Sequence, residues 1–455
     1  MTFPLSPRRA LTLVRTVPLA AALLSPRPAS ALQPVATFLE HAATWNPDNR
    51  AARAISAERD SEVTVSTGSL LPSFTASADY TRNQYEITAK DLFPVALPTG
   101  TPAQIVTTID SLSQTVITPQ NQVDASLAIT VPLLNIASWD RRSAAKHRLA
   151  AGNAEEATTR LVVAKGVLRV YYQLVGLEAL SEAATKSLEI SRNNLKIARD
   201  KDANGTGSEL DVQRAVADEA RAQHAVTAAE LEVVDLRRDL YALSGIEAEP
   251  SGAFPEDDLH EEAPLATWLG GAHKMPQVEG ARSTREAADA AARAAKTMWL
   301  PTVAAVAGER LSNATAFSAG HTATYVAQLV ATIRLDTTIV AQTHAGSAAA
   351  AAARAAEDKA RQASEDAIYK DWQQIRADVA QARSARAQVG ATQLAAKLAE
   401  QRYENGVATQ LDVLGARQDA FEADVVRIQA DADLAYARVA LRIDSGSFRA
   451  SSNER

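Results

Sequence analysis

The chain has 455 residues, no cysteine and a formal net charge of −7. The missing cysteine excludes a disulfide framework, a thiolate metal site and a lipidated N-terminal Cys. The acidic balance argues against nucleic acid as a partner, since that binding needs a basic footprint.

Residues 1–31 have the three parts of an export signal. Arg8, Arg9 and Arg15 supply charge, Val17–Leu24 a short apolar run, and Ala29-Ser30-Ala31 a small-x-small cleavage site before Leu32. The apolar run is too short to span a bilayer, and no later run is long enough for a transmembrane helix. A membrane crossing by this chain must therefore use β-strands. The organisation expected is a first structural repeat over 32–248, a linker over 249–272, a second repeat over 273–446 and a tail over 447–455.

Each repeat opens alike. Pro47 to Pro72 and Pro276 to Pro301 both span 25 residues, with Asn46-Pro47 opening the first helix. Leu71-Pro72 and Leu300-Pro301 each end a helical stretch and begin an extended one. Phe74, Ala76, Ala78 and Tyr80 then alternate with Ser73, Thr75, Ser77 and Asp79. Val123, Ala125, Leu127, Ile129 and Val131 form a second alternating strand. The other half offers Thr302–Ser312, where alternation is weak, and Thr324–Leu335, with Tyr325, Ala327, Leu329, Ala331, Ile333 and Leu335 on one face. Such alternation fits a barrel strand between lipid and water, or a half-buried strand in a soluble sandwich. The export signal and the long helices favour the barrel. The loop over 83–121 is rich in Pro, Thr and Ser, the one over 313–322 is short, and 250–264 is an acidic, Pro-rich linker.

All 18 prolines lie at or before Pro301. The proline-free stretches are rich in Ala, Glu, Arg, Gln, Leu and Lys, the strong helix formers. Ser138–Ala203 and Thr337–Glu404 each predict a helix about 100 Å long at 1.5 Å per residue. Both end on the same sentence of sequence. Asn204-Gly-Thr-Gly-Ser-Glu-Leu-Asp-Val212 and Asn405-Gly-Val-Ala-Thr-Gln-Leu-Asp-Val413 lie 201 residues apart, marking an internal duplication. Gly205 and Gly406 suit the left-handed position that ends a helix. Ser208 and Thr409 suit the N-cap of the next helix, with Asp211 and Asp412 completing a capping box.

The returning helices carry heptads. The first seam is Val226, Ala229, Val233, Leu236, Leu240, Leu243; the second is Leu411, Leu414, Gln418, Phe421, Val425, Ile428, Ala432, Ala435, Val439. Both specify packing against a neighbouring helix. The two seams fall at non-equivalent positions of the 201-residue register, which predicts different neighbours for the two hairpins.

These motifs resemble the TolC-type outer-membrane efflux protein family. The matching residues are the two tip motifs, Asn46-Pro47, the two Leu-Pro pairs, Tyr403-Glu-Asn-Gly406 and Leu411-Asp-Val-Leu414. The resemblance covers nearly all of the chain after the signal. It implies long antiparallel coiled-coil helices with four β-strands per chain, and a homotrimer with a twelve-stranded membrane β-barrel on an α-helical periplasmic tunnel. Four strands alone could not close a membrane barrel, so barrel physics also demands oligomerisation. The function implied is a passive outer-membrane exit duct of a tripartite efflux or type I secretion system. Its partners would be a periplasmic adaptor protein, an inner-membrane pump and outer-membrane lipid.

The resemblance places Asp211 and Asp412 on gate aspartates and Tyr403 on a latch tyrosine. Gly205, Gly207, Ser208, Gly406, Ala408 and Thr409 become the turns an adaptor would contact. The family's latch arginine corresponds to Ala408, and a further acidic position to Gly415, so this gate is expected to be less tightly locked or locked by other contacts. The usual ends of strands two and four appear as Pro132-Leu-Leu-Asn-Ile136 and Arg334-Leu-Asp336. Plain capping fully accounts for Asp211 and Asp412, and Tyr403 could equally pack the last helical turn.

The seven histidines are scattered without metal-ligand spacing. No phosphate loop follows a strand and no nucleophile elbow occurs. No cofactor and no catalysis are expected. The alternative function is a periplasmic coiled-coil scaffold or adaptor without a barrel. Such a protein would carry one hairpin between compact β-domains, not a duplicated hairpin.

Overall fold

In the computed structural model of the protein, residues 33–90, 114–249, 257–318 and 320–448 are described. The expected export signal lies outside them, as do most of the C-terminal tail and parts of the 83–121 loop and the linker.

Two helices open the chain. α1 (Val35–Trp45) precedes α2 (Pro47–Gly68), so Asn46-Pro47 opens the second helix, a correction to the sequence expectation. Asn46 is the N-cap, accepting from the Asp48 N–H at 2.9 Å, and Pro47 occupies a first-turn position where no donor is needed. The α1 stripe of Phe38 and Ala42 is fully buried against the long helices. That burial, invisible in a local pattern of only 11 residues, makes it a helix.

β1 (Ser73–Arg82) follows, then β2 (Ile87–Lys90), β3 (Gln114–Thr118) and β4 (Asn121–Leu134). β2 and β3 pair with each other inside the expected loop, a hairpin the sequence did not announce. α3 (Ile136–Ala203) and α4 (Glu209–Ser244) make the first long hairpin. Beyond the linker come α5 (Leu265–Leu269), a 3₁₀ turn and α6 (Pro276–Thr297). β5 (Thr302–Ser312), β6 (Ala323–Thr332), α7 (Thr337–Glu404) and α8 (Gln410–Asp444) repeat the first half. α2 and α6 both have 22 residues, and α3 and α7 both have 68. Asn135 and Asp336 cap the two long helices, accepting from Ser138 N–H and Ile339 N–H at 3.1 and 3.0 Å.

The strands form one antiparallel sheet in the order β1-β4-β5-β6. In its register Phe74, Ala76 and Ala78 stand beside Ile129, Leu127 and Ala125, which stand beside Ala307, Glu309 and Leu311. Tyr325 and Leu329 extend the same face from β6. Apart from Glu309 this face is apolar, and it is uncovered: Phe74 is 71% and Tyr325 86% exposed. The opposite face carries Asp79, Ser77, Asp124, Ser126, Arg310 and Thr324, with Arg310 bonded to Asp124 at 2.7 Å and Ser77 to Ser126 at 2.8 Å. A largely apolar, uncovered face opposite a polar one is the pattern of a membrane-barrel sheet. Ile333 and Leu335, expected in the last strand, lie beyond its end at Thr332.

Among the helices, α3 packs against α2, α4, α6 and α8, and α7 packs against α6 and α8. The first heptad seam is buried as expected: Val226, Ala229, Val233 and Leu240 are all under 9% exposed. Shifted by 201 residues it becomes Arg427, Ala430, Leu434, Ala437 and Leu441. In the structure Ala430, Leu434, Ala437 and Leu441 pack on Ile368, Ile375, Val379, Ala382 and Ala385 of α7. A register-equivalent seam, absent from the sequence expectation, therefore packs inside the second hairpin. The stripe expected in α8 is a second one, directed at the first hairpin. Phe421 packs on Ala184, Leu188, Ala222 and Val226, and Ala432 lies against Gly176, where an added Cβ would come within 3.1 Å. Its lower end, at Leu411, is 56% exposed.

Candidate functional site

The two tips turn with the same hydrogen bonds. Gly205 and Gly406 have φ of 71° and 73°, the left-handed conformation that favours glycine. Thr206 and Gly207 N–H both donate to Lys201 O at 2.9 Å; Val407 and Ala408 N–H both donate to Arg402 O at 2.8 and 3.2 Å. A Cβ on Gly207 would lie 2.8 Å from Asp202 N. The second tip carries that Cβ as Ala408, and its turn is looser by 0.3 Å in the corresponding bond.

The caps differ in completeness. At the second tip Asp412 N–H donates to Thr409 Oγ1 at 3.3 Å, while Thr409 N–H donates to Asp412 Oδ2 at 2.8 Å, which closes the capping box. At the first tip Asp211 N–H donates to Ser208 Oγ at 3.2 Å, and Ser208 Oγ donates to Asp211 Oδ2 at 2.9 Å. The reciprocal backbone bond is not formed there, and Asp211 pairs instead with Arg214 at 3.5 Å. The Thr409 backbone N–H, its hydroxyl and the Arg402 charge hold the Asp412 carboxyl below the usual aspartate value.

The tips touch through residues the sequence did not single out. Lys201 Nζ sits 3.8 Å from the centroid of the Tyr403 ring, a cation–π contact from α3 to α7. Gln410 Nε2 donates to Asp211 O at 3.1 Å, from α8 to α4. Tyr403 thus bridges hairpins and does not merely pack its own last turn. The only hint in the sequence was that Lys201 corresponds to Arg402 under the repeat. Asp211 and Asp412 are not paired with each other. Gly205, Gly207, Ser208, Gly406 and Thr409 are exposed and Ala408 is half-buried, so these turns are open to a partner.

A second polar cluster lies where the linker crosses α8. Arg438, 5% exposed, donates to Asp257 Oδ1 at 3.0 Å and to His260 O at 2.9 Å, and also bonds Glu262. Asp257, Asp258 and His260 bring metal-ligand atoms within 4.8 Å of one another. Arg438 Nη1 stands 2.9 Å from His260 Nε2, so the guanidinium already supplies the cation. This cluster straps the linker to α8.

Among the described residues no helix is long and apolar enough to cross a membrane. Solved structures share the architecture. A membrane protein from Pseudomonas aeruginosa superposes with a TM-score of 0.75 at 18% identity, over 90% of this chain and 93% of that one. The outer membrane protein VceC of Vibrio cholerae gives 0.72 at 18%, over 90% and 96%. The CmeC outer membrane channel of Campylobacter jejuni gives 0.75 at 17%, over 93% and 88%. No curated protein matches the chain. The family model for outer membrane efflux proteins matches residues 38–246 and 273–446, both repeats on either side of the linker, and the chain belongs to that family.

Proposed function

We propose that this outer-membrane efflux protein works as a homotrimeric duct, gated at its periplasmic hairpin tips and coupled there to an adaptor and an inner-membrane pump. One observation carries the reading: both flanks of the protomer are unfinished. Among the described residues β1 and β6 are edges of the sheet, each paired on one side only. On the helices Leu231 and Val234 of α4 are 62% and 60% exposed, and Leu394 and Leu398 of α7 are 58% and 50% exposed. The first-half flank differs from the second-half flank at both levels, so copies associate head to tail and close into a ring. Three copies give twelve strands, a size at which a membrane barrel encloses a pore. The exposed turns at Gly205–Ser208 and Gly406–Thr409 are the surface an adaptor would meet. Three copies of Asp211 and Asp412 around one axis would favour cations at the gate.

The test is the mass of the detergent-purified protein together with its conductance in a planar bilayer. A trimer that conducts is expected. A monodisperse monomer with native β content would overturn the ring. The alternative of a barrel-less periplasmic scaffold does not account for the uncovered Phe74, Tyr325 and Leu329 face.

A further inference from the structure

The 201-residue register exposes one substitution that packing does not explain. In the first hairpin Val170 of α3 and Leu243 of α4 are apolar and join the core around Val167 and Leu240. Their counterparts in the second hairpin are Asp371 of α7 and Asp444, the last residue of α8. Asp371 neighbours the Asp444 carboxyl, and among the described residues its Oδ2 is buried without a hydrogen-bond partner. One turn to either side on α7 are Ile368 and Ile375, 0% and 1% exposed, in one cluster with Leu441. The charged groups that face Asp371 are Asp444 from α8 and, from α3, Lys165, whose Nζ is 2.6 Å from Asp444 Oδ2. Two neighbouring carboxyls, one with a buried unpartnered oxygen, are best satisfied by a proton held between them. An acid at the C-terminus of a helix is also disfavoured by the helix dipole, which makes the protonated form easier to hold there.

We propose that Asp371, Asp444 and Lys165 form a proton-operated clasp between the two helical hairpins. With one proton shared by the carboxyls, the lysine balances the remaining charge and α3, α7 and α8 are held together. Without it, two carboxylates face one ammonium in an apolar setting, and the contact of α3 with α8 loosens. Burial, and then the neighbouring Asp444, push Asp371 from 3.8 up to about 7. An acid raised on folding stabilises the fold below its unfolded value, and that stability is lost as pH rises through the folded one. The clasp is therefore shut on the acid side of neutrality and released on the alkaline side. A repeat that could have kept the valine–leucine pair has a titratable one, the kind of local departure that marks a switch and not a stabilising contact.

The experiment follows melting temperature and backbone hydrogen exchange of the full-length protein in detergent from about pH 4 to about pH 8.5, which runs from near the ordinary value of 3.8 to above the raised value of about 7. In the wild type the melting temperature should fall between these two values and level off above the higher one. Exchange over 160–170 and 438–444, corrected for its intrinsic pH dependence, should rise together with that fall. Asp371→Asn should abolish both changes, as should Asp371→Val with Asp444→Leu, which restores the apolar pair of the first repeat. A profile in either variant that keeps the wild-type step would overturn the clasp. So would wild-type exchange at these segments that does not change with pH. Neither readout depends on conductance or on a partner, so failure here leaves the duct reading standing, and failure of the duct leaves this result interpretable.

Discussion

The contact between the tips can be weighed by a double-mutant cycle on Lys201 and Tyr403. The ammonium lies 3.8 Å from the ring centroid, and both residues are only half-buried, so the pair should contribute about 0.5–1 kcal/mol. Lys201→Gln removes the charge and keeps much of the stem; Tyr403→Leu removes the ring and keeps an apolar side chain. If the closed tip depends on this pair, each single variant should raise the ratio of open to closed channels about 2–5-fold per contact. Three independent contacts in a trimer would multiply to roughly 10–150-fold. The double variant should do no more than either single one, because both remove the same interaction. The assay is the open probability of single channels in planar bilayers, with melting temperature as the control for general damage. Additive single effects, with no coupling, would refute the cation–π pair as a lock. Wild-type open probability in both variants would refute any closing role for the contact.

Asp412→Asn should lower cation preference in bilayers with little change in trimer stability if the carboxylate belongs to a gate ring; unchanged selectivity would leave Asp412 as a cap alone. Because its carboxyl is held below the usual aspartate value, the stability it adds is present above that value and lost as pH falls through the depressed one. Hydrogen exchange over 405–413 should therefore quicken in acid more than over 204–212, where the capping box is incomplete. Gly406→Val forces a β-branched side chain to φ 73°, costing about 1–3 kcal/mol. It should impair adaptor cross-linking while barrel insertion, measured by heat-modifiable mobility, stays intact. Leu434→Ala empties a fully buried site in the α7–α8 seam at about 3–5 kcal/mol, and should lower the melting temperature more than Phe421→Ala, whose ring is half-buried between hairpins.

Features set by neighbours along the chain could be read from the sequence. The β5 strand begins at Thr302 because Pro301 cannot continue a helix, and α7 runs from Thr337 to Glu404 because no proline or left-handed glycine interrupts it. The tips followed from glycines that accept positive φ and from hydroxyls placed three residues before an aspartate. Strand alternation gave the lipid-facing set, since side chains on a pleated strand change face at every residue. The resemblance to the family rested on these same local signatures.

What depends on surfaces meeting across the fold could not be read that way. α8 has two stripes, and an alanine-rich one with Leu434 and Leu441 faces α7, while the more conspicuous apolar heptads face the first hairpin. Close helix approach rewards small residues as much as large ones, and the heptad pattern records only the large. The β2–β3 hairpin lies in a stretch whose composition reads as loop, because four- and five-residue strands are made by their pairing and not by their propensity. Lys201 meets Tyr403, and Lys165 meets Asp444 from 279 residues away. Each is an ordinary polar residue on a long helix until the hairpins lie side by side, and only the tertiary structure decides which carboxylates must then share a proton.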